Sequence, residues 1–307
     1  MQEIQDNAIK KNIIRNSRSD LVFYFFNYIF LFLCFMVVFY PIWNVIVSSV
    51  SSPQEVIAGR VTLWPRKFNT NAYQQVFANK MLMGGYKNSI TYTFAGTLVN
   101  IVMTIALAYP LSRKDFVGRG AITAIFVFTM IFSAPLIPSY LNIRRLGLID
   151  TFWVMVLPTA ISTYNMIIAR TFFQSSIADE MLEAAELDGA SDMRILINLV
   201  LPLSKAIIAV LVLYYAVSHW NTYFNALIYL NTETKFPLQL VLRTILTNAQ
   251  QLQEMAENIS DADSAKLALV EVMKYAIIVF GSLPVLMLYP FVQKYFVKGV
   301  MIGSLKG

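Results

Sequence analysis

Leu21-Val-Phe-Tyr-Phe-Phe-Asn-Tyr-Ile-Phe-Leu-Phe-Leu-Cys-Phe-Met-Val-Val-Phe-Tyr-Pro-Ile-Trp-Asn-Val-Ile46 runs 26 residues without a charge. At about 1.5 Å per residue, a helix of this length exceeds a hydrocarbon core about 30 Å thick, so the stretch reads as a membrane span. The segment before it, Met1 to Asp20, is polar and mixed in charge, and no small-residue cleavage signal ends the run. A cleaved signal peptide has the opposite layout, so the span is expected to be retained.

Five further stretches are long and apolar enough to join it. They are Ser89 to Leu111, with Ala95 and Gly96 allowing close helix approach; Ala121 to Leu141, with Pro135 and Pro138; Phe152 to Ile168, with Pro158; Ala206 to Leu230, polar from its middle; and Tyr275 to Phe296, with Gly281, Pro284 and Pro290. Proline inside a span frees a backbone carbonyl, so the proline-bearing helices are expected to kink and to pack against neighbours. The fold class that follows is an all-α membrane protein with six transmembrane helices.

Composition agrees. Of 307 residues 57% are hydrophobic, mean hydropathy is +0.58 and 14% are charged, where a soluble domain carries about a quarter charged. The formal net charge of +6 sits in short clusters that border the apolar runs, which is how topology rather than nucleic-acid binding is written. Cys34 is the one cysteine, so neither an intrachain disulfide nor a cysteine metal cluster is available. No Gly-Lys pair occurs, which excludes a Walker phosphate loop, and the single histidine excludes a His-Glu-x-x-His metal site. The chain therefore reads as a non-enzyme with no cofactor of its own.

Six spans put the polar segments Ser51–Lys87 and Asn231–Lys274 on one side of the membrane, and Gln174–Lys205 with both termini on the other. Lys and Arg number 13 on the side of the termini and 11 opposite, which by itself decides nothing. The flanks of the first span are cleaner: Lys10, Lys11, Arg15 and Arg18 precede it, and no basic residue follows before Arg60. By the positive-inside rule the termini are cytoplasmic; Arg113, Lys114 and Arg119 fit that orientation, while Arg144 and Arg145 oppose it. The domains expected are a cytoplasmic tail 1–20, a first helix 21–48, an extracytoplasmic segment 49–87, a core of five helices over 88–297 and a cytoplasmic tail 298–307.

Ile177-Ala-Asp-Glu-Met-Leu-Glu-Ala-Ala-Glu-Leu-Asp-Gly-Ala-Ser-Asp-Met-Arg-Ile-Leu-Ile-Asn-Leu-Val-Leu-Pro-Leu203 reads as helix, turn, helix. Ser175 or Ser176 can cap the first helix, and Asp179 and Glu180 complement its positive end. Gly189 supplies a left-handed stop, and Ser191 and Asp192 can start the second helix. Met181, Ala184 and Ala185 form a small-residue face, and Pro202 marks re-entry toward the next span. Spacing alone fits two uses equally: a peg for a partner, or an amphipathic helix on the membrane surface or on its own bundle.

Glu183-Ala184-Ala185, then Gly189, then Leu199 and Leu201-Pro202 resemble the EAA loop of binding-protein-dependent ABC importer permeases, with Leu199 standing where that family often has isoleucine. Leu148-Ile149-Asp150-Thr151, Trp220-Asn221, Asn225-Ala226-Leu227 and Tyr295-Phe296-Val297-Lys298-Gly299-Val300 extend the resemblance. It is to the carbohydrate-uptake type 1 permeases, in particular those similar to the maltose-system G and lipoprotein-cluster C permeases. The resemblance implies a type I importer permease fold in a bacterial cytoplasmic membrane, half of a pathway completed by a sister permease, in a heterodimer. Two cytoplasmic ATPase subunits would supply ATP and magnesium, and an external solute-binding protein would deliver a carbohydrate, an oligosaccharide by preference. Glu183 would then contact the ATPase, Ala184 and Ala185 would let the helix seat, and Asp188, Gly189 and Pro202 would shape the loop. The tail from Lys298 to Gly307 would reach toward the ATPase interface.

A sugar pathway wants aromatic faces and amide or hydroxyl groups where water is scarce. His219, Trp220, Asn221, Tyr223 and Asn225 cluster in the fifth span and are the candidates, with Tyr140, Asn142 and Asn165 behind them. Trp and Tyr also mark lipid interfaces, Asn can bond a neighbouring helix, and His219 alone reads better as a bonded packing residue than as a proton relay. Two other classes compete. An ion-coupled secondary transporter calls for carboxylates inside the spans, and the third, fourth and fifth spans have none. A membrane scaffold without transport is the other.

Overall fold

The computed structural model describes residues 17–254, 271–290 and 293. The tail Lys298–Gly307, the residues Tyr295 to Val300 and the end of the sixth span at Phe296 lie outside them, as do residues 1–16.

Among the described residues three helices are long and apolar enough to cross a membrane alone, and three further pairs are bent, which gives up to six spans. The first, α1, is Arg18–Ser49, with a first turn fixed by the Asp20 carboxylate accepting from the Ser17 N–H at 2.9 Å. Its apolar side chains are exposed almost all round, Phe23 and Val37 among them. A helix hydrophobic on every face and buried on none of them requires lipid or another chain around it. Only its end is tied down, where the Trp43 indole donates to the Leu63 carbonyl at 2.8 Å.

After α2 (Pro53–Ile57) and α3 (Asn71–Ala78) comes the central helix α4, Lys80–Ser112. Asn79 caps it, its side-chain oxygen accepting from the N–H groups of Met81 and Leu82. The helix thus begins nine residues before the expected Ser89. Gly85, Ser89, Gly96, Asn100, Thr104 and Ala108 are buried along one side. Spaced close to every fourth residue, they make a seam of small and polar groups along which other helices approach.

The third span is not one kinked helix but two, α5 (Arg119–Ile131) and α6 (Leu136–Arg145), bent by 117°. Pro135 has no N–H to give to the carbonyl of Ile131 four residues back, where α5 stops, and is itself the cap of α6. The fourth span departs likewise from the expected Phe152–Ile168. Two short 3-10 turns carry Phe152 through Pro158 to Thr159, then α7 (Thr163–Ser176) follows at 51°. Ser175 and Ser176 therefore belong to the last turn of α7 and cap nothing after it; the next helix, α8 (Asp179–Leu187), is capped by Ala178 without a side-chain bond.

A further helix, α9 (Asp192–Leu203), meets α10 (Lys205–Trp220) at 83°. Leu196–Val200 within α9 is π-helical. Pro202 has no N–H to give to the carbonyl four residues back, and the wider turn just before it absorbs that mismatch. The fifth span stops at Trp220 instead of running on to Leu230, and restarts as α11 (Phe224–Tyr229). The segment expected to be a polar loop after Asn231 contains α12 (Leu238–Glu254), whose Leu238, Leu240, Val241 and Leu242 are buried. The last described helix, α13, is Glu271–Pro290.

Three clusters of buried side chains organise the described bundle, one of them joining Tyr92 of α4, Ile143 of α6, Val154, Tyr229 of α11 and Leu240 of α12. Leu111, Met166, Phe173, Val200 and Leu211 join α4, α7, α9 and α10. Val76, Leu82, Trp220, Val241 and Ile277 join α3, α4, α10, α12 and α13.

Candidate functional site

The short acidic helix α8 is held by two separate devices. At its C-terminus the Ala190 N–H donates to the Ala185 carbonyl at 3.0 Å and the Gly189 N–H to the Glu186 carbonyl at 2.9 Å. That pair is a Schellman closure, which needs a left-handed residue at its centre, and Gly189 has φ +76°. Ala185 and Ala190, which the motif brings together, both pack on the core shared with α7 and α9. Ala184 and Asp188 are exposed, and with Met181, Arg194 and Asn198 they line an open depression of about 440 Å³ between α8 and α9. Pro202 is exposed at the far end of α9.

The second device is electrostatic. Asp179, Glu183 and Glu186, at i, i+4 and i+7, share one face of α8. Opposite is the link between α4 and α5. Arg113 pairs with Glu186 and, at 3.1 Å, with Asp115; Lys114 pairs with Asp179; and the Arg119 guanidinium donates to the Arg113 carbonyl at 2.9 Å. Hydrogen bonding to Asp179 raises the Lys114 ammonium above its ordinary range. For Arg113, burial pulls downward, and the bonds to Glu186 and Asp115 outweigh it to leave a raised value. Glu183 lies between the two paired acids, is exposed, borders a cavity of about 430 Å³ and has no ion pair among the described residues.

The fifth-span candidates separate into two groups. His219 and Trp220 are buried and bonded within the chain. The imidazole Nε2–H donates to Asn100 Oδ1 at 2.6 Å, since an amide oxygen only accepts, while the Trp220 indole donates to the Gly281 carbonyl at 2.9 Å. Trp220 also meets the Tyr86 ring edge-on at 5.4 Å. Asn221 and Tyr223 are exposed in the break between α10 and α11 and line a cavity of about 890 Å³ with α12 and α13. Asn225 is half-buried on α11. Of the weaker candidates, Tyr140 stacks on Tyr229 at 6.1 Å, Asn142 is exposed, and Asn165 is buried in the first turn of α7.

Two side-chain groupings join residues far apart in the sequence, so local spacing does not show them. One is Arg243, whose guanidinium lies 5.0 Å from the Tyr223 ring centre in the 890 Å³ cavity. The other is a clamp on Asp150, whose carboxylate accepts from the N–H groups of Asn231 and Thr232, the Thr232 hydroxyl and the Lys235 ammonium.

Comparison with known proteins agrees with this geometry. Residues 81–302 match the family model described as binding-protein-dependent transport system inner membrane component. The chain is 37% identical to the polygalacturonan/rhamnogalacturonan transport system permease protein YtcP of Bacillus subtilis, over 96% of this chain and all of that protein. It is 36% identical to protein LplC of the same organism, over 96% and 98% of the two chains. A crystal structure of a bacterial ABC transporter involved in the import of the acidic polysaccharide alginate superposes with a TM-score of 0.82 at 36% identity, covering 91% of this chain and 98% of that one. Bent spans around one long seam helix, with the acidic hairpin between the fourth and fifth, thus carry a type I ABC importer permease fold, and the chain belongs to the binding-protein-dependent transport system inner membrane components.

Proposed function

We propose that this permease forms half of the pathway of an ATP-driven importer and that α8 is its coupling helix. The pathway is completed by a sister permease, and an external binding protein delivers a carbohydrate, an oligosaccharide by preference. The termini and α8 face the cytoplasm, where two ATPase subunits bind and hydrolyse ATP with magnesium; the chain itself catalyses nothing and holds no cofactor. Relatives named for polygalacturonan and rhamnogalacturonan transport and for alginate import support the solute class.

The observation that carries the coupling role is Glu183, which has no ion pair among the described residues and stands between two strapped acids. Asp179 and Glu186 fix α8 to the α4–α5 link, so a force on α8 reaches two spans directly, while Glu183 and the open depression with Ala184 and Asp188 remain available to a partner. ATP-driven closure of the motor would then bias a two-state bundle between inward and outward openings through this lever. Among the described residues the one buried carboxylate, Glu55, lies outside the spans and pairs with Lys67 at 2.9 Å, and Glu271 at the start of α13 pairs with Lys274 at 2.6 Å.

The test is reconstitution of the chain with its sister permease, ATPase and binding protein in vesicles. Solute entry is expected to need both external binding protein and internal ATP. Glu183→Gln and Glu183→Ala are expected to leave the membrane complex inserted while reducing uptake and binding-protein-stimulated ATP hydrolysis together. Uptake driven by a proton gradient alone, or full coupling in both variants, overturns the reading.

A further inference from the structure

We infer that Arg243, set over the face of Tyr223, is a binding site for a carboxylate carried by the sugar in transit, so the solute is an acidic oligosaccharide. This rests on the permease function proposed above.

The cavity that holds Arg243 lies where α12 packs against α13 and the beginning of α4, with Val241 3.0 Å from where a Cβ on Gly85 would stand. Gly281 and Ser282 of α13 line it. The neighbour of Arg243 on α12, Leu242, is buried against the same wall and would meet a Cβ on Gly281 at 3.2 Å. Arg243 is exposed and lines that cavity. Among the described residues no carboxylate lies within ion-pair distance of Arg243.

The surroundings suit a sugar acid. Tyr223 supports the guanidinium through its ring face, which leaves the planar fork of donors free for an approaching group. A carboxylate matches that fork with two parallel hydrogen bonds, which a sugar hydroxyl cannot do. Asn221, Gln239, Thr247 and Ser282 around the rim offer amide and hydroxyl partners for the remaining hydroxyls, and Trp220 forms part of the wall. A neutral solute would require the amides and the aromatic wall, and would give the cation no function.

The experiment uses the complete importer in vesicles, with trigalacturonate and a neutral glucose trisaccharide as separate probes. Arg243→Gln is expected to lower the maximal rate of trigalacturonate uptake at least tenfold. The half-saturating concentration of loaded binding protein, which reports docking outside, and the ATPase activity stimulated by that protein are both expected to stay within twofold. Trigalacturonate uptake unchanged by Arg243→Gln overturns the inference. So does a loss matched by an equal loss of stimulated ATPase, which would make Arg243 a structural residue. Wild-type uptake of the neutral probe alone overturns the carboxylate site and leaves the permease function standing. Uptake of neither probe with ATP and binding protein present overturns both.

Discussion

Lys235 closes on Asp150 from two directions, its ammonium donating to the carboxylate at 2.8 Å and to the main-chain carbonyl of the same residue at 2.6 Å. Asp150 is meanwhile held at φ +56°, a left-handed conformation that a side chain other than glycine rarely adopts. The arrangement staples the turn after α6 to the turn after α11, and Lys235 with three further donors holds the carboxyl far below the usual carboxylate range.

That relation gives a pH dependence with a definite sign. The folded-state pKa is depressed, so the clamp contributes fully above the unfolded value of about 3.9 and is lost as pH falls below it toward the folded value. Thermal unfolding of the detergent-purified protein is expected to show no contribution from Asp150 to its slope between pH 8 and 5, and a declining one below about pH 4. Asp150→Asn keeps a residue that tolerates left-handed backbone and removes the charge. The variant is expected to unfold at a lower temperature at neutral pH, with the gap to the wild type narrowing in acid. An equal gap at all pH values would show that the charge is not what holds the turn.

Gly96 and His219 make a second test. A Cβ built on Gly96 would sit 2.4 Å from the imidazole, well inside contact distance, so Gly96→Ala must displace a buried ring that is bonded to Asn100. Overpacking of this kind costs on the order of 1–3 kcal/mol. Thermal stability in detergent should fall accordingly, and the double variant Gly96→Ala with His219→Ala should be less destabilised than the two single losses added together. Strict additivity would mean that the two residues do not share the space.

The apolar runs were legible because lipid imposes length and charge limits that any sequence displays directly. Whether a proline kinks a span or divides it was not legible, since Pro135 and Pro158 present the same residue to the reader. The 117° and 51° bends depend on what the freed carbonyls and the next helix can pack against. The turn at Gly189 could be read because one residue type and its spacing decide it. The partners of Glu186 and Asp179 could not, because Arg113 and Lys114 are more than 60 residues away and nothing local links them. Among the fifth-span polar residues, sequence could nominate a cluster but not sort it. Burial separates His219 and Trp220, bonded inward, from Asn221 and Tyr223, open to the cavity. Arg243 went unnoticed because it sits in what reads as an extracytoplasmic polar segment, and only the fold sets its guanidinium over the Tyr223 ring.

Gly189 has φ +76°, and no atom lies within 4 Å of the point where a Cβ would stand, so the penalty for a side chain there is conformational rather than steric. Left-handed backbone costs a residue other than glycine about 1–3 kcal/mol, and asparagine the least. Gly189→Val is therefore expected to open the Schellman closure and let α8 move independently of α9. Binding-protein-stimulated ATP hydrolysis and uptake should fall several-fold, while Gly189→Asn should retain most of both. If valine and asparagine behave alike, the left-handed turn is not what couples the hairpin.

The two straps on α8 should differ in weight. Lys114 and Asp179 are 76% and 48% exposed, a pair of the kind worth about 0–1 kcal/mol and screened by salt. The Arg113 side chain is 12% exposed and divides its guanidinium between Glu186 and Asp115, while its carbonyl accepts from Arg119. Arg113→Ala thus releases two acids, Glu186 and Asp115, while keeping the carbonyl that Arg119 bonds, whereas removing Lys114 releases one exposed acid. Arg113→Ala is expected to reduce uptake by tenfold or more, and Lys114→Ala by less than threefold. The charge-exchanged double variant, Arg113→Glu with Glu186→Arg, should recover part of the Arg113→Ala loss if attraction across this contact is what carries force from α8 to the spans. A double variant no better than Arg113→Ala would show instead that Arg113 acts through its packing and its bonds to the α4–α5 link, and that α8 transmits force by another route.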